Sequence, residues 1–361
     1  MEKSMYAVIL AGGSGTRLWP LSRRNKPKHQ IKMSCGRSLL QQAYDRIYPT
    51  IDPSNILVVT TLEQESDIRA QLPTLPAENL LVEPLGRNTA ACVGLAAVAI
   101  NKRSEDSVVA VLTADHLIKP KERFIEILRF GALMASSCEC PIIFGIKPSF
   151  PSTNYGYVKR GEMLLREKGF RVFQCEAFTE KPDQELAKKL LDTKEYYWNS
   201  GMFVWRVDSV LDTLNKLMPP LAKALQRIES SLGTPTEGPT LREEYEKLDS
   251  VSIDCGVMEK VKNIRVIEAN FEWADVGDWS IFGEFYGKKH GTNIVIGKHY
   301  GIDTSNCASI GNSDGLLVTV GVKDLIVIHT HDVTLVCHRD RAGEAKRLVE
   351  ELKGKGFEAY I

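Results

Sequence analysis

The chain has 361 residues, 43% of them hydrophobic and 25% charged, so it can bury a large core and form two domains, or one domain with an appendage. Its 46 basic residues balance 46 acidic ones, and no overall field favours nucleic acid or an anionic membrane as a partner. Every apolar run is shorter than the roughly 20 residues that span a bilayer, and the N-terminal run is too short for a secretory signal.

The first half of the chain alternates strand-like apolar runs with segments of helical periodicity. Strands are predicted at Tyr6–Leu10, Asn55–Thr60, Leu80–Val82, Ser107–Leu112 and Pro141–Ile146, and helices at 38–47 and 89–100. Buried strands separated by helices predict an α/β fold, with a Rossmann-like, mainly parallel sheet and helices on both faces. Such sheets bind ligands beyond the carboxyl ends of their strands, so we expect the chemistry in the loops there.

A glycine-rich turn, Ala11-Gly12-Gly13-Ser14-Gly15-Thr16-Arg17, directly follows the first strand. It lacks the third glycine of the dinucleotide fingerprint and the Gly-Lys-Ser/Thr run of the P-loop. Glycine still lets backbone N–H groups approach phosphate oxygens, and two cations, Arg17 and Lys28, suit a polyphosphate that is bound and then cleaved. The candidate nucleotide-binding residues of this turn are Leu10, Gly12, Gly13, Ser14, Gly15 and Thr16.

The run LAGGSGTRLWPLSR, followed by Pro27-Lys28, resembles the signature of sugar-1-phosphate nucleotidyltransferases. Its LWPLSR part resembles the mannose-1-phosphate guanylyltransferase branch, and further family motifs follow in order over nearly the whole chain. The resemblance implies the nucleotide-diphospho-sugar transferase fold. It also implies transfer of GMP from GTP to α-D-mannose 1-phosphate, with pyrophosphate released and GDP-mannose formed. The chain departs from the family pattern at His29, Ala91 and Thr113.

The loop after the third strand reads Glu83-Pro84-Leu85-Gly86-Arg87-Asn88-Thr89. In the resembling family this loop faces the nucleotide base, which makes Glu83, Arg87, Asn88 and Thr89 candidate nucleotide-binding residues. Guanine presents two adjacent donors and a carboxylate only accepts, so Glu83 is our candidate for selecting guanine. The alternative is a plain turn followed by a helix that Thr89 caps.

Two aspartates, Asp115 and Asp275, each follow an apolar run. Alone, each is more often a turn or capping residue than a ligand. Together with phosphate oxygens they suit Mg²⁺, which keeps waters and takes few protein ligands, and the resemblance assigns the catalytic metal to these two positions. His116 is expected to stabilise the loop, because imidazole is a poor Mg²⁺ ligand.

The middle of the chain reads as β-segments at 154–158 and 170–175 that bracket a polar turn, and an aromatic strand at 198–205. A plain buried meander explains part of this pattern. The motifs N-Y-G-Y, E-K-P, W-N-S-G-M-F and S-I-D-x-x-V-M-E-K also resemble the family's sugar site. The candidate sugar-phosphate residues are Gly156, Glu180, Lys181, Asn199 and Asp254. Lys181 would hold the phosphate, and Asp254 either orients the pocket or caps a helix.

The remainder of the chain is predicted to hold packed helices between Leu211 and Leu248, an exposed loop at 231–239, and a β-rich appendage at 292–337. The resemblance makes the appendage a short parallel β-helix, and Asp340 is expected to cap a final helix. We predict a catalytic domain at 1–287 and a C-terminal domain at 288–361 that forms a homodimer or higher homo-oligomer. The isomerase domain of longer relatives is not expected.

The eight cysteines are scattered, and Cys138-x-Cys140 has neither zinc nor redox spacing, so we expect reduced, buried thiols in a cytoplasmic enzyme. A sugar phosphate is already ionised near neutrality, and the transfer requires no general base. Two alternatives stay open. One is a pyrophosphorylase for another sugar or base; the other is a silent, nucleotide-sugar-sensing paralogue, which would be expected to lose Arg17, Lys28, Asp115 or Asp275.

Overall fold

The computed structural model describes residues 4–13, 15, 18–23, 26–33, 35–48, 50–277, 279, 285, 292–311 and 315–361. Contacts between Cα atoms divide the chain into two compact units. The first unit comprises Met1–Gly12, Tyr44–Thr113 and Lys119–Phe271, and the second comprises Gly13–Ala43, Ala114–Ile118 and Glu272–Ile361. The predicted boundary between residues 287 and 288 follows the chain rather than these contacts and stays a prediction.

A nine-stranded mixed sheet forms the centre of the first unit, in the order β3-β2-β1-β4-β9-β6-β10-β8-β7. Its strands are β1 Met5–Leu10, β2 Ile56–Thr61, β3 Leu80–Glu83, β4 Val108–Thr113, β6 Ile142–Ile146, β7 Tyr157–Glu167, β8 Phe170–Thr179, β9 Tyr196–Arg206 and β10 Arg265–Ala269. Strands β1 to β4 pair in parallel, whereas β9 runs antiparallel to both β4 and β6. The predicted α/β class is confirmed.

Helices cover the sheet because its first strands are apolar on both faces; β2, for example, is buried at five successive residues. The helices are α1 Leu39–Ile47, α2 Glu65–Gln71, α3 Asn88–Asn101, α4 Lys121–Ser137, α5 Gln184–Thr193, α6 Val207–Leu217, α7 Pro219–Ser231, α8 Glu237–Lys247 and α9 Ala345–Lys353. Helix α3 is built from small and apolar residues and packs against β1, β2, α6 and α7. Ser38 caps α1, because its hydroxyl accepts from the Gln41 N–H at 3.1 Å and the Gln41 side chain accepts from the Ser38 N–H at 3.1 Å.

The second unit is rich in short strands that follow β5 His116–Lys119 and β11 Glu272–Asp275, which pair with each other. The C-terminal strands are β12 Ile294–Ile296, β13 Lys298–Ile302, β14 Ala308–Gly311, β15 Leu316–Val320, β16 Leu325–His329 and β17 Thr334–His338. Parallel pairing of β12 with β14, β14 with β16, and β13 with β15 is the ladder of a short parallel β-helix, as predicted. The sequence did not predict β13 and β14.

Several local predictions were wrong. Strand β7 continues to Glu167, which leaves a turn of Lys168 and Gly169 only. Helix α8 begins at Glu237, inside the predicted loop, because proline is compatible with the first turn of a helix. Asp340 lies inside a 3₁₀ segment, Arg339–Glu344, and does not cap α9. The sequence also predicts a helical segment from Trp279 to about residue 286, which falls mostly outside the described residues.

The cysteines also differ from the prediction. Cys138 and Cys140 form a disulfide, while Cys35 and Cys255 are exposed and, of the free thiols in the described residues, Cys307 alone is buried. The expectation of uniformly reduced, buried thiols is therefore wrong. Among the residues that the structure describes, we find no helix of the length and apolarity needed to cross a bilayer.

Candidate functional site

Lys28, Asp115 and Asp275 lie together in the second unit. The Lys28 ammonium forms an ion pair with Asp115 and lies 3.5 Å from Oδ1 of Asp275. The pairing of β5 with β11 brings the two carboxylates together, since the Val276 N–H donates to the Asp115 carbonyl at 3.2 Å. The sequence predicted all three residues as catalytic, and the fold collects them at one place.

The partners of Asp115 decide its charge. Burial alone would raise the pKa of the Asp115 carboxyl, but the Lys28 ammonium and then His116 hold this pKa well below its ordinary value. Asp115 is consequently ionised at neutral pH and is balanced by the cation beside it.

The ligand atoms of Asp115, His116 and Asp275 lie within 4.8 Å of one another, which makes this cluster a candidate cation site. Oδ1 of Asp275 is buried and accepts no hydrogen bond from any described residue. Nδ1 of His116 accepts from the Trp273 indole at 3.2 Å, so in the neutral ring the other nitrogen carries the proton and is a poor ligand. Two carboxylates, one with a buried oxygen that accepts no hydrogen bond from the described residues, fit a hard divalent cation.

Gly15 of the glycine-rich turn packs directly against Lys28. Gly15 has a φ of +61°, and a Cβ at this position would lie 2.6 Å from Cβ of Lys28. The Ser22 hydroxyl donates to the Gly15 carbonyl at 2.6 Å. Around Gly12 and Gly13 a Cβ would meet nothing within 4 Å, so the backbone there is open on one side. Leu10 ends β1, and the predicted residues Ser14, Thr16 and Arg17 lie outside the described residues.

Glu83, in the first unit, has partners that the sequence did not predict. Its side chain is buried, with 2% of the residue exposed, and its two oxygens accept from the Tyr245 hydroxyl and the Cys92 thiol, both at 3.0 Å. Burial raises the pKa of Glu83 to about 7, and the two hydrogen bonds lower it only in part. Direct recognition of guanine would require Glu83 to exchange these two donors for those of the base.

The other residues of this loop also form hydrogen bonds to groups of the first unit. Arg87 donates to the backbone carbonyls of Tyr245 and Glu246 at 2.7 and 3.0 Å. The Thr89 hydroxyl accepts from the Ile253 N–H at 2.9 Å, so Thr89 does not cap α3, which begins at Asn88. The side chain of Asn88 accepts from the N–H of Thr89, and Asn88 itself is exposed. The loop is thus fastened to the segment at 245–253.

The five predicted sugar-phosphate residues form one cluster in the first unit. Asn199 donates from its amide to Asp254 at 2.8 Å, its N–H donates to the Gly156 carbonyl at 2.8 Å, and Lys181 pairs with Glu180. Burial, and then the nearby Glu180 carboxylate, raise the pKa of Asp254 to about 6. Asp254 begins a single π-helical turn, so both of its predicted roles stay open.

Gly156 is needed for a reason that the sequence did not suggest. A Cβ at this position would lie 2.5 Å from Oε2 of Glu180, so the glycine makes room for that carboxylate. Oε2 is buried and accepts no hydrogen bond from the part of the chain that the structure describes. An unused buried acceptor beside Asn199 and Asp254 suits a ligand hydroxyl.

Comparison with known proteins identifies the family. A nucleotidyl transferase family model matches residues 6–288, and a model described as a MannoseP isomerase/GMP-like beta-helix domain matches residues 297–352. The chain is 34% identical over 360 residues to the mannose-1-phosphate guanylyltransferase of Escherichia coli K12, with 98% of this chain and 75% of that protein covered. The chain belongs to the mannose-1-phosphate guanylyltransferase family. The predicted resemblance and enzyme class are confirmed.

Two further comparisons agree with this family. The mannose-1-phosphate guanylyltransferase of Salmonella montevideo is 36% identical over 359 residues, covering 98% of this chain and 75% of that one. A crystal structure from Thermus thermophilus, described as a mannose-1-phosphate geranyltransferase, is 32% identical with a TM-score of 0.86 and covers 98% of this chain and 100% of that chain. The fold of this guanylyltransferase-family chain is therefore shared over almost its whole length.

Sequence reasoning missed three side chains that shape these clusters: Cys92, Tyr245 and Trp273. Cys92 had a usable signal, because it lies on a helix directly after the Glu83 loop. Tyr245 had none beyond its place in a helical segment, since the carboxylate that it contacts is 162 residues away in the chain.

Proposed function

We propose that this protein transfers GMP from GTP to α-D-mannose 1-phosphate, giving GDP-mannose and pyrophosphate. The observation that carries the proposal is the Lys28–Asp115–Asp275 cluster, which combines an ammonium, two carboxylates and an adjoining glycine turn. Similarity along 98% of the chain to proteins named mannose-1-phosphate guanylyltransferase supports these substrates.

The protein itself needs to do little covalent chemistry in this reaction. A phosphate oxygen of the sugar phosphate attacks the α-phosphorus of GTP, and the bond from that phosphorus to the β-phosphate oxygen breaks in line. The attacking phosphate is already ionised near neutral pH, so no general base takes a proton. The protein contributes orientation of the reactants and neutralisation of the charge that develops.

We assign the phosphates to the cations of the sequence motifs. The glycine turn and Arg17 would bind the departing β- and γ-phosphates, Lys28 the α-phosphate, and Lys181 the attacking phosphate. Support for Lys28 comes from the packing of its backbone and Cβ against Gly15, which joins the residue to the glycine turn, while its ammonium lies at Asp115 and Asp275. Asp115 and Asp275 would hold Mg²⁺, which, when bound, supplies positive charge for the phosphate oxygens.

We assign the sugar to Gly156, Glu180, Asn199 and Asp254, with Oε2 of Glu180 accepting from a sugar hydroxyl. Glu83 stays our candidate for selecting guanine, and Arg87, Asn88 and Thr89 stay candidates for shaping the base loop. A Glu83→Gln variant that keeps the wild-type preference for GTP over other nucleotides would remove the assignment of Glu83. A cytoplasmic location also stays a prediction.

We further propose that a second copy of this chain covers an apolar face of the C-terminal strands. Strands β13 and β15 pair in register, and their outward side chains are half to two-thirds exposed: Tyr300, Ile302, Leu316, Val318 and Val320. Contiguous exposed apolar surface of this kind is typical of an interface. Sedimentation at micromolar concentration tests the proposal; a monomer would contradict it.

The reaction is tested by incubating the protein with mannose 1-phosphate, Mg²⁺ and each common nucleoside triphosphate in turn, while pyrophosphate release is followed. We expect release with GTP far above the rest. Comparable release with another triphosphate would keep the chemistry but contradict guanine selection. No release with any triphosphate, while GDP-mannose still binds, would favour a sensing paralogue.

A further inference from the structure

Hydrogen bonds hold together the segment that carries Lys28. The Ser22 hydroxyl and the Leu18 N–H both donate to the Gly15 carbonyl, at 2.6 and 3.1 Å. Arg23 and Lys26 exchange backbone hydrogen bonds, at 2.8 and 3.0 Å, before the chain reaches Lys28. We call the described residues 18–23 and 26–28 the Lys28 lobe; Gly15, which accepts from its first residue, packs on Lys28 at its other end.

Arg23, at the far end of this lobe, binds two C-terminal elements of the same unit. One guanidinium nitrogen donates to the Tyr360 carbonyl, and another donates to Oδ1 of Asp332 at 2.8 Å. The Arg23 side chain is only 12% exposed, whereas the Asp332 side chain is 25% exposed, so the guanidinium is the better shielded partner of this ion pair. The Asp332 carboxylate is itself oriented, because it accepts from the Thr330 hydroxyl at 2.8 Å.

Trp19 makes a second attachment of the same lobe. Its indole N–H donates to the Tyr360 carbonyl at 2.7 Å, so this carbonyl accepts from both Trp19 and Arg23. The Trp19 carbonyl accepts from the indole of Trp279 at 3.0 Å, and both tryptophans are buried. Trp19, Ser22 and Arg23, three side chains of the LWPLSR run, thus bind protein groups.

We propose that Arg23 is a positioning residue that fixes Lys28 for the transfer step by tying the Lys28 lobe to Asp332 and Tyr360. This inference rests on the proposed function. Lys28 must meet phosphate oxygens as their charge develops, and small displacements of such a group are costly in rate. A planar guanidinium can hold two acceptors at once, which an ammonium on a flexible stem does less well.

The C-terminal domain accordingly has a part in catalysis without contacting substrate. The contacts that carry this effect are to a side chain, Asp332, and to a backbone carbonyl, that of Tyr360. Because the sugar cluster, Glu180, Asn199 and Asp254, belongs to the first unit, loss of the Arg23 contacts should change the rate of transfer more than the KM for mannose 1-phosphate.

The test compares Arg23→Ala, Arg23→Lys and Asp332→Ala with wild type, using pyrophosphate release from GTP and mannose 1-phosphate. We expect kcat to fall about tenfold in Arg23→Ala and less in the other two variants, with the KM for mannose 1-phosphate nearly unchanged. Arg341→Ala is the matched control, since it breaks an exposed pair with Glu344 in the same unit and should leave kcat unchanged.

Hydrogen–deuterium exchange gives a readout that does not depend on activity. Amides of residues 18–28 and 358–361 should exchange faster together in Arg23→Ala and in Asp332→Ala than in Arg341→Ala. If Arg23→Ala does not fold, kcat and amide exchange of Arg23→Lys and Asp332→Ala test the proposal instead.

Folded variants with wild-type kcat and wild-type exchange at residues 18–28 would overturn the proposal. Should wild type itself release no pyrophosphate, the proposed function fails, and the exchange data still decide whether Arg23 holds the lobe.

Discussion

A half-buried carboxylate in the second unit, Asp115, and a buried one in the first unit, Glu83, have opposite pKa shifts. Asp115 follows β4 and pairs with the Lys28 ammonium, which holds its pKa well below the ordinary value despite burial. Glu83 ends β3 and receives only neutral donors, Tyr245 and Cys92, so burial raises its pKa to about 7. A cationic partner thus reverses the effect of burial on the pKa of a carboxyl, whereas neutral donors offset it only in part.

This difference also separates two kinds of site. An ionised aspartate beside an ammonium and a second carboxylate suits a site that binds a cation and phosphate groups. A carboxyl that shares two neutral donors holds helices α3 and α8 together, since Cys92 lies on the first and Tyr245 on the second. Neutralising each carboxylate in turn should therefore give effects of very different size and kind.

The largest effect is expected from Asp115→Asn and Asp275→Asn. Each change removes charge that would hold the cation beside the phosphates, and pyrophosphate release should fall roughly a thousandfold. Glu272→Gln, an exposed position on the same strand as Asp275, is the control and should retain activity. Wild-type rates in both aspartate variants would show that the cluster is not the reaction centre.

Lys28→Ala should lower kcat about a hundredfold and change the KM for mannose 1-phosphate little, because the ammonium acts on charge that develops in the transition state. Steady-state pyrophosphate release measures both parameters. An unchanged kcat would refute the assigned role of Lys28.

Glu83→Gln should change the pH dependence of stability. The pKa of Glu83 lies near 7, above its ordinary 4.5, so the stability of the wild type is full at low pH and falls as pH rises through that window. Between about pH 5 and about pH 8 the wild type should lose roughly 2 kcal/mol more of its unfolding free energy than the variant. Urea denaturation at the two pH values checks this, and parallel losses would contradict it.

Tyr245→Phe is expected to have the smallest effect. Removing the hydroxyl leaves Oε1 of Glu83 with one donor fewer and should cost about 1 kcal/mol of unfolding free energy. Tyr48→Phe, at a residue that is 42% exposed, is the matched control and should cost much less. Equal stability losses in the two variants would argue against the Tyr245 hydrogen bond.

Apolar runs located the strands of the first half well, because a strand buried on both faces must be apolar throughout. Periodicity could not place β9 between β4 and β6, since a run of apolar residues does not specify its neighbours. The strands β13 and β14 escaped detection because their segments are short and, in β13, mostly polar or small.

The cation cluster could be predicted because Asp115 follows a strand of the main sheet and the family motifs mark Asp115 and Asp275, although the pairing of β5 with β11 that joins them was not predicted. The contacts of Glu83 and of Arg23 could not be predicted from the sequence. Each joins groups far apart in the chain, 162 residues for Tyr245 with Glu83 and 337 for Arg23 with Tyr360, and no local pattern records such a pairing.

Binding of Mn²⁺, measured by electron paramagnetic resonance in the presence of GTP, tests whether Asp115 and Asp275 hold the cation. We expect wild type and Glu272→Gln to bind Mn²⁺ alike, because Glu272 is exposed and lies outside the cation cluster, whereas Asp115→Asn and Asp275→Asn should bind it far more weakly. Equal Mn²⁺ binding by all four proteins would contradict the assignment of the cation to Asp115 and Asp275.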